Sequence, residues 1–108
     1  MNPKSENTNK FKAKIFKALS DPVRLDILGF LRNGEKCVCE IIPHLKLVQP
    51  LVSRHLKTLK DCGIVSFRKE GTRRLYSITN PQIFRILDGI TPELINTYTE
   101  KIFEQITE

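Results

Sequence analysis

The chain has no tryptophan, one methionine at its first position, three cysteines and two histidines among 108 residues. It has no run of about 18 apolar residues, and the N-terminal MNPKSENTNK is polar throughout with no signal-peptide pattern. A cytoplasmic protein with no membrane contact is therefore expected. An odd number of cysteines, two of them one residue apart, does not suit a disulfide framework. Reduced thiols, functional or simply buried, are the expectation. Cysteine and histidine are both missing from residues 1–20 and 79–108, so neither end can supply a soft donor to a metal ion. His44 and His55 accompany no nucleophile constellation, and the glycines form no phosphate loop. An enzyme is not expected, nor a constitutive cofactor.

What the chain does have is lysine and arginine, unevenly spread. The formal charge is +6. Residues 1–24 hold six Lys/Arg against two acids, residues 51–78 hold seven against two, and residues 79–108 hold two against five. A basic middle followed by an acidic end suits a polyanion-binding surface better than general basicity does. At 40% hydrophobic residues the chain makes one domain. One this small buries only about 65% of its unfolded surface, so a partner subunit would help.

Residues 1–10 read as a flexible N-terminal tail and 11–108 as the domain. Phe11, Ile15, Phe16 and Leu19 mark one face of a first helix. In SDPVRLDILGFL, Ser20 or Asp21 can cap, Pro22 takes the first helical position, and Leu25, Leu28 and Leu31 form a stripe. CVCEIIPHL is a short helical segment, and after a break at KLV a further helix covers QPLVSRHLKTLKDC, ended by Gly63. IVSFRKEGTRRLYSIT reads as a hairpin turning at Glu70–Gly71–Thr72. Asn80–Pro81 and Thr91–Pro92 start two more helices. The last carries Ile95, Tyr98, Ile102 and Ile106 at spacings of three and four, a stripe best read as a dimer face. The predicted fold is mainly α with a small β-hairpin: a homodimeric winged helix-turn-helix.

In the helix from Pro50 to Asp61, Arg54 and Lys57 lie opposite the apolar stripe, flanked by Ser53 and Thr58. These are donors for phosphates and base edges on the face a recognition helix turns to the major groove. His55 lies nearer the core boundary, and Gln49 sits at the helix N-terminus, where backbone N–H groups favour phosphate. Arg68, Lys69, Arg73 and Arg74 add charge at the hairpin for phosphate or minor-groove contact. The expected partner is double-stranded DNA.

EKCVCE places Cys37 and Cys39 at a helix entrance. Two helical residues rotate a side chain by about 200°, so on an intact helix these sulfurs point apart. On an extended backbone they can share an ion. Pro43 cannot donate to the carbonyl of Cys39, so the first turn is expected to be weakly held and to give way when an ion binds. Cys62, before the glycine that ends the next helix, reads as a packing residue and reaches Cys37 only through refolding.

The stretches KALSDPVRLDIL, CVCE, QPLVSRHLKTLKDCGIV and RKEGTRRLYSI, spanning about residues 11–79, resemble the arsenic-repressor (ArsR/SmtB) group of metal-responsive repressors. The resemblance implies a homodimer joined by its first and last helices. It also implies binding to an inverted-repeat operator and release when inducer binds. Members that sense trivalent arsenic or antimony look like ELCVCDLC. Cys37 and Cys39 match, but Ile42 stands where the third cysteine would be, so water, an external thiol or a partner residue would complete the site. The family's zinc site between the last helices lacks its histidines here, leaving Asp88, Glu93, Glu100 and Glu104 as solvated carboxylates. The expected function is a DNA-binding repressor released by arsenite, antimonite or another soft ion at Cys37 and Cys39. The alternatives are a thiol-based redox or reactive-sulfur sensor of the same fold and a DNA-organising protein with no ligand response.

Overall fold

The computed structural model describes residues 5–107. Its elements run α1 (Ser5–Leu19), α2 (Pro22–Leu31), β1 (Lys36–Cys37), α3 (Val38–Leu45), α4 (Gln49–Asp61), β2 (Val65–Glu70), β3 (Arg73–Ile78), α5 (Ile83–Gly89) and α6 (Pro92–Thr107). The first helix begins earlier than its apolar face predicts. Residues 5–10, expected in a tail, continue α1 outward as a polar turn, because no proline or glycine interrupts them. Residues 1–4 lie outside the described residues.

Asp21, not Ser20, caps α2: its carboxylate accepts from the Val23 amide at 2.8 Å and the Arg24 amide at 3.4 Å, with Pro22 behind it. The buried face of α2 is Ile27, Leu28 and Leu31, whereas Leu25 of the predicted stripe is 40% exposed. These residues meet Ile41 of α3, Val52, Leu56 and Leu59 of α4, and Val65 of β2 in one core. Each buried aliphatic side chain contributes about 1.5–3 kcal/mol relative to exposure. α3 and α4 form the helix-turn-helix. Their turn is set by Lys46 in the left-handed region (φ 57°, ψ 38°), whose amide donates to the Ile42 carbonyl at 3.0 Å. At the far end of α2, Arg32 holds Asp88 of α5 through contacts of 2.9 and 2.6 Å and lies over the Phe84 ring.

The expected hairpin is the larger part of a three-stranded antiparallel sheet in the order β1-β3-β2. Gly71 opens its two-residue turn at φ 62° and Thr72 stays out of the positive region, the pattern of a II′-type hairpin. The extra strand, β1, pairs Lys36 with Tyr76 and Cys37 with Leu75. At two residues it is too short to show any periodicity. It nonetheless fixes the cysteines.

Candidate nucleic-acid interface and thiol site

α4 buries Val52, His55, Leu56 and Leu59 and so turns the rest of its surface outward. Gln49, Ser53, Lys57 and Lys60 follow one another at helical spacing along the wall of a groove of about 880 Å³. The wing contributes Thr72, Arg73 and Arg74 to the same groove, and the entrance to α3 contributes Cys37 and Cys39. Arg54 and Thr58 are displaced round the helix and do not line the groove. Thr58 turns its hydroxyl to the Arg54 carbonyl at 3.2 Å. Lys60, three positions after Lys57 on the same face, adds a cation that the apolar-stripe argument does not single out.

His55 is not at this surface. It is 9% exposed, and its Nδ1 lies 3.2 Å from the Arg24 guanidinium. A guanidinium only donates, so Nδ1 must accept. Arg24 also donates to the carbonyls of Ala18 and Lys17. The expectation that His55 contacts DNA is therefore corrected: the ring ties α4 to the junction of α1 and α2. Single-helix periodicity cannot show this, because the partner lies 31 residues away.

Strand register sorts the four basic wing residues onto two faces. Lys69 faces Arg74 across the hairpin and shares a face with Phe67 and Tyr76. The Arg74 guanidinium lies 5.2 Å from the Phe67 ring centroid, with the Lys60 ammonium 5.8 Å from the same ring. Arg68 and Arg73 belong to the other face, among acids. Arg68 is held by Glu35 at 2.8 and 2.9 Å and by Glu70 at 3.1 Å, and Arg73 lies 3.8 Å from Glu40. The Arg68 hydrogen bonds hold the Glu35 carboxyl below its ordinary value. On α4, the Lys57 hydrogen bond does the same to Asp61, while Asp61 raises Lys57. That pair is exposed and only 2.7 Å long. Exposed pairs are worth little, so Lys57 can exchange Asp61 for a phosphate at small cost.

The cysteines meet without any unwinding of α3. Cys37 ends β1 in an extended conformation (φ −68°, ψ 148°) and is the N-cap of α3, not a helical residue. Its sulfur accepts from the Cys39 amide at 3.1 Å, and the Glu40 carboxylate accepts from the Cys37 amide at 3.3 Å. This is a capping box with sulfur in the usual hydroxyl position. The two Cα atoms are 5.0 Å apart and the sulfurs are joined as a disulfide. The expected need for the first turn to give way, with Pro43 easing it, is thus replaced by a preformed bend from β1. Cys37 is buried and Cys39 is exposed.

No group of three or more His, Cys, Asp or Glu is placed to hold an ion among the described residues. Cys62 is exposed at the end of α4 and opens on a separate groove of about 480 Å³ with Ile15, Ile64, Ile83 and Ile86. The two grooves have no lining residue in common. His44 stacks on Phe30 with ring centroids 3.8 Å apart, so it packs rather than joining the cysteines. Among the described residues no helix is long and apolar enough to cross a membrane.

A helix-turn-helix with a basic wing beside its second helix defines a winged-helix DNA-binding transcriptional regulator, not an enzyme. The model of bacterial regulatory proteins of the arsR family matches residues 21–66. An uncharacterized HTH-type transcriptional regulator of Methanocaldococcus jannaschii is 51% identical over 76 residues, covering 69% of this chain and 85% of that protein. An arsenical resistance operon repressor of Staphylococcus xylosus is 39% identical over 83 residues, covering 77% and 78%. A probable mercury resistance operon repressor of Streptomyces lividans is 44% identical over 71 residues, covering 66% of this chain and 57% of that one. Among solved structures, the homodimeric winged helix-turn-helix DNA-binding domain of a Mycobacterium bovis protein superposes with a TM-score of 0.72 at 28% identity, covering 97% of this chain and 93% of that one. The chain belongs to the arsR family of transcriptional repressors.

Proposed function

We propose that this repressor acts in the cytoplasm as a homodimer on an inverted-repeat operator and leaves it when a thiophilic ion binds reduced Cys37 and Cys39. Trivalent arsenic and antimony are the first candidates. The observation that carries this reading is the convergence of the two sulfurs on the groove lined by α4 and the wing. Soft ions select thiolates, and a helix N-terminus favours negative sulfur. An ion there sits next to the cations proposed to hold DNA: Lys57, Arg73 and Arg74, with Gln49 and Ser53 on the same wall and Arg54 and Lys69 at its margins. It needs to prefer the DNA-free state by only a few kcal/mol to empty the operator.

The test is fluorescence anisotropy on DNA from upstream of the protein's own gene, in a phosphine reductant, titrated with arsenite, antimonite and mercuric ion. Release by arsenite is expected for the wild type and is expected to vanish in Cys37→Ser and Cys39→Ser, with Cys62→Ser unaffected. Operator binding indifferent to all three ions would end the ion reading. The disulfide between Cys37 and Cys39 favours a second reading, release by thiol oxidation. Release by a peroxide without any ion, reversed by dithiothreitol, would establish that one instead.

A further inference from the structure

Trivalent arsenic takes three ligands, and the chain brings two sulfurs to the site while its third cysteine opens on another groove. The space beside exposed Cys39 is not apolar. Lys57, Lys60, Arg73 and Arg74 line it, and no carboxylate does so among the described residues. Asp61 pairs with Lys57 and Lys60 and Glu40 with Arg73, all through exposed contacts that are worth little, and Glu40 also accepts from the Cys37 amide. At about 880 Å³ the groove falls within the size range of small-molecule sites. Once the disulfide is reduced, two thiols beside four cations form a site for an anion that carries its own sulfur.

Building on the ion-release reading above, we propose that the inducer is trivalent arsenic or antimony bearing one external thiol with carboxylate groups. The metalloid sits on Cys37 and Cys39, and the carboxylates lie on the groove cations. Chemically this is ligand exchange. Starting from arsenous acid, three As–O bonds break and three As–S bonds form. Each thiol proton leaves on a hydroxyl as water, and the arsenic stays trivalent. The cysteine pair enters as the dithiol. Two molecules of the same monothiol open its disulfide beforehand, supplying two electrons and leaving as their own disulfide. Because the carboxylates occupy the cations proposed to hold phosphate, the adduct and the operator compete for one surface.

The experiment uses the full chain in a phosphine reductant, free of DNA. Arsenite is titrated with equal concentrations of glutathione, 2-mercaptoethanol or cysteamine, which are carboxylate-bearing, neutral and cationic thiols. Ultraviolet absorbance of the arsenic–thiolate bonds reports binding, and native mass spectrometry reports composition. The expected species carries one arsenic and one glutathione per cysteine pair. It should half-saturate at about tenfold less arsenite than with 2-mercaptoethanol, as one charge-assisted contact provides. The double variant Lys57→Ala/Arg74→Ala, its fold checked by circular dichroism, should lose that advantage while still binding arsenic. Equal half-saturation in all three thiols, or arsenic held without any thiol, overturns the proposal and leaves the ion-release reading standing. No binding to the cysteines under any of the three removes both.

Discussion

His55 and Arg54 are neighbours in the chain with opposite surroundings. Arg54 is exposed, and His55 is enclosed beneath α4 with its Nδ1 against Arg24. Truncating each separates support from recognition. His55→Ala leaves an Arg24 donor without its acceptor and should cost about 1–3 kcal/mol in urea denaturation. Arg54→Ala should leave the unfolding midpoint in place and weaken specific operator binding by about 1–3 kcal/mol. A stable His55→Ala protein with lost operator specificity would instead return His55 to the DNA surface. Acid sensitivity is also set by single residues. Hydrogen bonds from Arg68 and Arg32 hold Glu35 and Asp88 below their ordinary values of 4.5 and 3.8. At Asp21, desolvation is the largest effect and pulls the other way, but the amides of Val23 and Arg24 together with neighbouring positive charge outweigh it. As pH falls the unfolded chain takes up these protons first. Their stabilisation is complete above about pH 5.5 and is lost as pH drops through the depressed folded values. The urea midpoint should hold from about pH 7 to about pH 5.5 and then fall, less steeply in Glu35→Gln/Asp88→Asn.

The wing is the element whose chemistry its composition conceals. Four basic residues in RKEGTRR look equivalent in the sequence. The register then places Lys69 and Arg74 with Phe67 and Tyr76, and Arg68 and Arg73 among Glu35, Glu70 and Glu40. Arg74→Ala should lower the salt dependence of DNA binding by about one phosphate contact on specific and random DNA alike. Arg68→Ala, which removes an already paired charge, should change that slope little. Equal slopes lost by both would show that the acids release Arg68 to DNA. The helices and hairpin were legible because caps, prolines and apolar spacing all act within one segment. β1 was not, since two residues carry no period, and neither was the cap at Cys37, which depends on pairing with Leu75. The candidate thiols were therefore legible by identity and spacing, but their backbone was misread as helix. The split of the wing and the burial of His55 depend on partners far along the chain, which no local pattern records.

At the scale of the whole molecule, the radius of gyration of 16.6 Å exceeds the roughly 13 Å of a compact chain of this length, and the extents of 59 × 40 × 23 Å show an elongated shape. α6 is the reason. It has no buried residue, and Ile95, Tyr98, Ile102, Phe103 and Ile106 are each more than half exposed, as are Phe11 and Phe16 of α1. An uncovered stripe of this extent is an interface in waiting. A second copy on the first and last helices would also space two recognition helices about one DNA turn apart. Ile102→Glu should give a folded monomer in sedimentation velocity at micromolar concentration, with operator affinity reduced by orders of magnitude. A persistent dimer would move the interface elsewhere.

The bare α6 also bears on how repression scales with dose. If the last helix is covered only in company, operator occupancy at low abundance rises with the square of the number of chains in the cell. Halving the supply then quarters the active form, so a cell diluting this protein by growth would cross from silence to expression over a narrow range of copy number.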